Sequence, residues 1–161
     1  YLREQGVRHD LIAAIFEQGE EDDLVRLMAR VDALAALVAS NDGENLLIAN
    51  RRAANIVRIE SGKDKAEFAP GDYRPASAAG EEAALWAALE ETRAAIAPLV
   101  AGEDYAGAMN ALARLRAPVD LFFDKVTVNV DDAETRRNRL CLLAHLTDVM
   151  RGVADFGQIE G

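Results

Sequence analysis

Hydrophobic residues recur every three or four positions along most of the chain, which is the spacing of one face of an α-helix. A clear series is Leu24, Leu27, Met28, Val31, Leu34 and Val38. The pattern predicts helices over residues 10–18, 20–39, 44–60, 81–99, 105–116, 118–123 and 132–154. We therefore expect an all-α fold, an irregular bundle of six or seven helices, in a single domain that covers residues 1–161.

Breaks in this pattern set the expected boundaries. Residues 40–43 (Ser-Asn-Asp-Gly) predict a turn. Residues 61–80 hold glycines and prolines without a sustained apolar period, which predicts a long surface loop that is more mobile than the helices. Pro98 is expected to end or kink its helix, and Pro118 suits the first turn of a short one. Asp131, with Glu134 three residues later, is expected to cap the last helix.

The composition agrees with a helical domain of ordinary size. The chain has 161 residues, of which 50% are hydrophobic and 6% aromatic, and this favours helices around a substantial core. It begins with Tyr1, so we expect a piece of a longer protein. No apolar run approaches the ~18 residues that cross a bilayer. A single cysteine, Cys141, favours a reducing cytoplasm, and its leucine neighbours predict a small buried hydrophobe.

No group of side chains predicts catalysis or metal binding. His9 and His145 lie far apart in different predicted helices, and no cysteine or acid pattern surrounds either one. The glycines punctuate helices and form no phosphate-binding loop. We therefore expect a non-catalytic domain that has no metal or cofactor of its own.

The net charge of −10 argues against nucleic-acid binding, but its distribution leaves room for a local basic patch. Residues 51–65 hold five bases and two acids, a net charge of 5 − 2 = +3. Arg51 and Asn55 are one helical turn apart and share a face, while Arg52 lies about 100° further round. Arginine binds phosphates or stacks on bases, and asparagine can donate and accept at a base edge. Alternatively, Arg52 and Arg58 cover the helix surface and bond neighbouring carboxylates.

Arg136, Arg137 and Arg139 begin the last predicted helix, where cations oppose the helix dipole. Arginines in this position indicate an anionic partner, either RNA or nearby carboxylates. Asp132 is one candidate, because it precedes Arg136 by four residues in the favourable order. The arginines would then clamp the preceding loop onto the helix. We expect a division in which Asn138 and Arg139 hold this corner, while Arg136 or Arg137 points outward.

The most distinctive motif lies within residues 122–143. It reads Phe-Phe-Asp-Lys-Val, then an acidic Asp-Asp turn, then Arg-Arg-Asn-Arg-Leu-Cys-Leu-Leu. This stretch resembles the C-terminal end of the β subunit of bacterial glycyl-tRNA synthetase, which carries Phe-Phe-Asp-x-Val, an acidic turn and Arg-x-Asn-Arg-Leu-x-Leu-Leu. Further segments are similar to the same family in order and spacing, over residues 1–12, 50–56 and 151–156.

The resemblance implies an anticodon-binding domain of the helical DALR type, which arginyl-tRNA synthetase shares. The whole enzyme in that family joins glycine to its tRNA and uses ATP and magnesium. The implied partners are the anticodon region of glycine tRNA, the rest of the β subunit, and the α subunit, to which the adenylation site belongs. Neither DNA nor a membrane is implied.

On this interpretation, the candidate RNA contacts are Arg51, Arg52, Asn55, Asn129, Arg136, Arg137 and Arg139. Asn129 and its neighbour Thr127 depart from the family's usual residues, although both side chains form hydrogen bonds. Glycine codons begin with two guanines, so the second and third anticodon bases are cytosines. An unpaired cytosine offers an N4 donor and the acceptors N3 and O2, which suit arginine and asparagine side chains.

Two other classes of protein stay open. The first is an acidic helical interaction module that binds protein and no RNA, which the net charge of −10 favours. The second is the C-terminal domain of an arginyl-tRNA synthetase, which shares the helical type. The Phe-Phe-Asp-x-Val stretch and the Asp-Phe ending favour the glycine enzyme over the arginine enzyme.

Overall fold

The computed structural model describes residues 24–77, 80–154 and Phe156. That part of the chain contains two short 3₁₀ helices, at Pro70–Asp72 and Pro75–Ser77, and six α-helices. The α-helices are α1 Leu24–Ala39, α2 Asn41–Asp64, α3 Gly80–Ala101, α4 Tyr105–Ala113, α5 Arg116–Lys125 and α6 Ala133–Arg151. No strand occurs among the described residues, and the all-α prediction is confirmed. The helix predicted over residues 10–18 lies outside them.

α6 lies at the centre of the bundle. Its residues 140–146 are all buried, whereas a surface helix buries one face only. α6 packs against α2, α3 and the Pro70–Asp72 turn, while α1 packs against α2 and α4. α3 closes the bundle against α4 and α5. Cys141 is fully buried in this core, as predicted, and burial raises the pKa of its thiol.

A single residue, Ser40, separates α1 from α2, so the turn predicted over residues 40–43 is wrong. The Ser40 hydroxyl donates to the Leu37 carbonyl at 2.7 Å and accepts from the backbone N–H of Gly43 at 3.0 Å. This N-cap begins α2 at Asn41 instead of residue 44. Only glycine fits at position 43, because a Cβ atom there would lie 1.7 Å from the Leu37 carbonyl oxygen.

The surface loop predicted over residues 61–80 is wrong in two respects. α2 continues to Asp64 and ends at Lys65, whose φ of 52° is left-handed. Beyond that point, Phe68 and Tyr73 are buried and fix the segment to the core. The prolines and glycines do interrupt helical periodicity, but two large aromatic side chains bury enough area to anchor the segment. Its mobility relative to the helices stays a prediction.

The prolines fall in different parts of their helices. Pro98 does not end α3, which continues to Ala101. Because Pro98 lies in the last turn, its missing N–H removes a single hydrogen bond near the helix end. The helix predicted over residues 105–116 is divided into α4 and α5, and Pro118 lies in the first turn of α5 as expected.

Asp132, and not Asp131, caps α6, which corrects the predicted cap by one residue. Its carboxylate accepts hydrogen bonds from the backbone N–H of Thr135, at 3.0 Å, and from the Thr135 hydroxyl. Both hydrogen bonds, and chiefly the one from the hydroxyl, hold the pKa of Asp132 below its usual value. The cap therefore carries a full negative charge where the helix dipole favours one.

The contact between Gly43 and Leu37 predicts a clear difference between two glycines of α2. Gly43→Ala should destabilise the protein by about 2–3 kcal/mol, because the new methyl group overlaps the Leu37 carbonyl. Gly62→Ala is the matched control, since nothing lies within 4 Å of a Cβ atom there. That change should stabilise the helix by about 0.5–1 kcal/mol. Urea denaturation measures both, and equal effects of the two changes would contradict the tight junction.

Candidate nucleic-acid interface

Arg136, in the first turn of α6, points inward to the end of α2. Its Nη2 lies 2.6 Å from Glu60 Oε2, and its Nη1 pairs with Asp64. Its Nε donates to Asn129 Oδ1 at 2.7 Å, and Asn129 Nδ2 donates to Glu60 Oε1 at 3.3 Å. The Arg136 side chain is only 17% exposed. The hydrogen bonds to Asp64 and Glu60 raise the pKa of the guanidinium above its usual value.

Arg139, one helical turn further along α6, binds a carboxylate of α3. Its Nε donates to Glu82 Oε1 at 2.8 Å, and its Nη1 donates to the Thr127 carbonyl at 2.6 Å. The other oxygen of Glu82 accepts from the Tyr73 hydroxyl at 3.0 Å. Burial, and then the Glu82 carboxylate, raise the pKa of that hydroxyl. Glu82 thus joins α6, α3 and the segment after α2 through one buried group.

Asn138 fastens the same corner through backbone groups. Its Oδ1 accepts from the Arg74 N–H at 2.7 Å, and its Nδ2 donates to the Arg74 carbonyl at 3.1 Å. A side chain that satisfies both backbone groups of one residue fixes the position of that residue. We call Arg136, Arg137, Asn138 and Arg139 the α6 corner. The contacts of Asn138 and Arg139 agree with the division expected from the sequence.

Carboxylates from other helices explain how α6 can begin with three arginines. Arg136 lies beside the C-terminal end of α2, where the helix dipole is negative and Glu60 and Asp64 add charge. The pairing expected with Asp132 is not the one found, because the Asp132 carboxylate accepts from Thr135 at the helix cap. The arginines at positions 136 and 139 therefore bind partners that are distant in sequence.

Arg137 is the outward-facing arginine of the α6 corner. Its side chain is 53% exposed, and Nη2 lies 3.6 Å from Asp72 Oδ2 in a loose ion pair. It lines a cavity of about 820 Å³ between residues 70–77 and the start of α6. Arg74 and Glu134 line the same cavity, so its wall carries both signs of charge.

A basic surface lies between α2 and the C-terminal half of α6. Arg51 and Asn55, both exposed, line a cavity of about 330 Å³ there. Arg151, in the last turn of α6, contributes a second cation. We call this the α2–α6 cavity, and its lining is Leu47, Asn50, Arg51, Ala54, Asn55, Thr147, Met150, Arg151 and Phe156.

Arg52 does not line that cavity. Its guanidinium carbon lies 4.4 Å from the centroid of the Phe123 ring, which is a cation–π contact. Phe123 is half-buried at the end of α5, so the ring fixes an otherwise exposed arginine. The sequence cluster of Arg51, Arg52 and Asn55 is thus divided between two neighbouring faces of α2.

Several residues of these sites were missed by sequence reasoning. Glu60 and Glu82 are the buried partners of Arg136 and Arg139, and their spacing from core residues could have indicated that they are buried. Glu60 follows the buried Ala53 by seven residues, and Glu82 precedes the buried Leu85 by three, so both fall on core faces. Thr147 and Arg151 carry no such signal, because nothing local reveals that they adjoin α2.

The described residues show no group of three His, Cys, Asp or Glu side chains arranged to hold a metal ion. In the same ranges, no helix is both long and apolar enough to cross a membrane. His145 is buried in the core with its Nε2 3.4 Å from Glu90 Oε1, and burial lowers the pKa of its imidazole. It lies apart from both cavities.

Comparison with known proteins identifies the class to which this helical bundle belongs. Residues 46–156 match the family described as the DALR anticodon binding domain. The match includes α2 from residue 46 onward, α3 to α6, the α6 corner and the α2–α6 cavity, and the chain belongs to that family. The DALR-type fold expected from the resemblance is confirmed.

Individual relatives give the nearer resemblance. The chain is 58% identical to the glycine–tRNA ligase β subunit of Rhodospirillum centenum, over 99% of this chain and 22% of that protein. It is 52% identical to the protein of the same name from Phenylobacterium zucineum, over 99% of this chain and 24% of that protein. The counterpart from Cereibacter sphaeroides is 45% identical over the whole chain and 23% of its own length. The resemblance to the synthetase β subunit is confirmed, and the chain spans less than a quarter of these relatives.

The geometry of the α6 corner predicts that Arg137 and Arg139, two residues apart on α6, contribute differently to stability. Arg139→Ala should destabilise the protein by about 2–3 kcal/mol, because it leaves the buried Glu82 carboxylate without its cation. Arg137→Ala is the control and should change stability by at most about 0.5 kcal/mol, since its ion pair is exposed. Urea denaturation without RNA measures both variants. Equal losses would show that the inward and outward assignments are incorrect.

Proposed function

We propose that this chain binds the anticodon region of glycine tRNA as one domain of a glycine–tRNA ligase. The observation that carries the proposal is the family match, because residues 46–156 include the α6 corner and the α2–α6 cavity. The name shared by the relatives points to glycine tRNA as the RNA. The outward arginines supply the charge that an RNA backbone requires.

The contacts divide the candidate residues into two roles. Arg51, Asn55 and Arg137 are exposed and border cavities, so we assign them to direct RNA contact. Arg52 joins them, because its side chain is exposed and its guanidinium is held over the Phe123 ring, 4.4 Å from the centroid, where a base can stack against it.

The remaining candidate residues contribute by holding the α6 corner in place. Arg136 and Arg139 are held by carboxylates, and Asn129 bridges Arg136 and Glu60. We propose that these three residues hold the corner so that Arg137 faces outward. Their loss would weaken RNA binding through misplacement of the α6 start, not through a lost contact.

The overall charge of −10 fits a small RNA footprint. A negative chain repels phosphates over most of its surface, so the RNA backbone approaches only where local cations outweigh the acids. Arg51 and Arg151 lie together at the α2–α6 cavity, whose described lining residues include no acid, whereas Arg137 lies in the cavity of mixed charge beside residues 70–77. The acidic remainder thereby contributes to the orientation of the bound RNA.

The chemistry of aminoacylation belongs to the rest of the proposed enzyme. By the resemblance, an α subunit would form the adenylate from glycine and ATP with magnesium, in the cytoplasm. This domain would increase affinity for the correct tRNA and place it, together with the rest of the β subunit. Its own side chains would bind and discriminate without making or breaking a covalent bond.

Titration of tRNA over a range of salt concentrations tests the proposal. The full natural chain, assembled with its partner subunit, should bind glycine tRNA with an affinity that falls as salt rises. Arg51→Ala and Arg137→Ala should each lower that affinity roughly five- to tenfold, and loss of a phosphate contact should reduce the salt slope by about one. Arg93→Ala is the control, because Arg93 is an exposed arginine of α3 that pairs with Glu90.

The proposal fails if Arg51→Ala and Arg137→Ala both bind like the wild type, or if replacing the anticodon bases leaves affinity unchanged. A chain that shows no salt-dependent tRNA affinity at all would instead fit an acidic protein-interaction module. Equal losses for Arg93→Ala and the two site variants would indicate general charge attraction without a defined site.

A further inference from the structure

We propose that Asp72 competes with RNA for Arg137, so that the ion pair between them is an autoinhibitory contact at the α6 corner. The inference rests on the proposed function, in which Arg137 contacts RNA, and it adds a residue that opposes binding. The carboxylate of Asp72 has to release the guanidinium before a phosphate can take its place. Asp72 therefore lowers the affinity for every RNA that reaches Arg137.

The ion pair itself is weak enough to be displaced. Nη2 of Arg137 lies 3.6 Å from Oδ2 of Asp72, and the two side chains are 53% and 55% exposed. This distance exceeds the roughly 2.7–2.9 Å of a hydrogen-bonded pair between an ammonium-type donor and a carboxylate. Exposed ion pairs contribute little to stability, so an incoming anion breaks this one at low cost.

The other acids of this cavity have different roles. Its lining includes the carboxylates of Asp72, Glu82, Asp132 and Glu134. Glu82 is bound by Arg139, and Asp132 caps α6. Of the remaining two, Asp72 is the one that forms the ion pair with Arg137. The cavity therefore assigns the competing role to a single side chain.

The position of Asp72 does not depend on the ion pair. Asp72 ends a 3₁₀ helix, and the two residues that follow it are anchored to the bundle. The Tyr73 hydroxyl donates to the buried Glu82 carboxylate at 3.0 Å. Asn138 bonds both backbone groups of Arg74, at 2.7 and 3.1 Å. The carboxylate is thus held beside the α6 corner whether or not the pair forms, and removing its charge should leave the fold intact.

A carboxylate in this position opposes RNA in two ways. It occupies Arg137 when RNA is absent, and it repels a phosphate that approaches the same guanidinium. The resulting loss of affinity is the same for every RNA that uses Arg137. A tRNA that also contacts other parts of the domain tolerates this loss, whereas an RNA held only by charge at the α6 corner is released.

Asp72→Asn tests the inference, because asparagine keeps the shape of the side chain and removes its charge. Asp32→Asn is the matched control, since Asp32 is an exposed acid of α1 that lines neither cavity. Each change is made in the full natural chain assembled with its partner subunit, alone and together with Arg137→Ala. Glycine tRNA is titrated over a range of salt concentrations, and urea denaturation of each free protein reports its stability.

Asp72→Asn should bind glycine tRNA about two- to fivefold more tightly than the wild type at low salt, which is the range expected when one exposed ion pair is released. The gain should shrink as salt rises, because exposed charges are screened. It should disappear in the Arg137→Ala background, where no guanidinium remains to compete for. Asp32→Asn should bind like the wild type, and Asp72→Asn should unfold at the same urea concentration as the wild type.

Several results would overturn the inference. If Asp72→Asn binds tRNA no more tightly than the wild type, Asp72 is not an inhibitor, and the proposed function still stands. A gain of equal size in the Arg137→Ala background, or for Asp32→Asn, would show a general effect of charge in place of competition. A less stable Asp72→Asn that binds more weakly would make Asp72 a structural residue. If the wild type has no salt-dependent affinity for tRNA, the proposed function fails together with this inference.

Discussion

Two arginine–carboxylate pairs, each with a buried glutamate, determine how the last helix is placed. Arg136 binds Glu60 and Asp64 at the end of α2, and Arg139 binds Glu82 at the start of α3. Each pair joins the first turns of α6 to another helix, and the leucine-rich remainder of α6 then continues through the centre of the bundle. Burying charges costs free energy, so such pairs hold only when both partners are present and well bonded.

The same pairs determine which arginine of the α6 corner faces outward. Because Arg136 and Arg139 are bound inward, the start of α6 presents Arg137. Because α6 runs through the centre of the bundle, it also brings Thr147 and Arg151 next to α2, where Arg51 completes the basic surface of the α2–α6 cavity. Packing therefore creates one small cationic site, at the α2–α6 cavity, and leaves Arg137 exposed in a cavity of mixed charge, on a chain whose net charge is −10. A domain of this kind gains selectivity from the small area over which RNA can approach it.

The helices could be predicted from the sequence because their information is local, in apolar residues that recur every three or four positions. The helix boundaries were less predictable. Residues 40–43 have the composition of a turn, but Ser40 caps a new helix there. The partners of Arg136 could not be found locally: they lie 76 and 72 residues away, whereas Asp132 is four residues away and was the natural choice. The α2–α6 cavity was equally hidden, because it joins Asn50 to residues about a hundred positions later.

A double-mutant cycle on Glu60 and Arg136 tests the central claim most directly. Glu60→Ala, Arg136→Ala and the double variant are compared with the wild type by urea denaturation in the absence of RNA. If the pair holds α6 to α2, the two single losses should be coupled by about 1–3 kcal/mol, with the double variant losing much less than their sum. Additive losses would mean that Glu60 and Arg136 act independently, and the account of how α6 is placed would be contradicted.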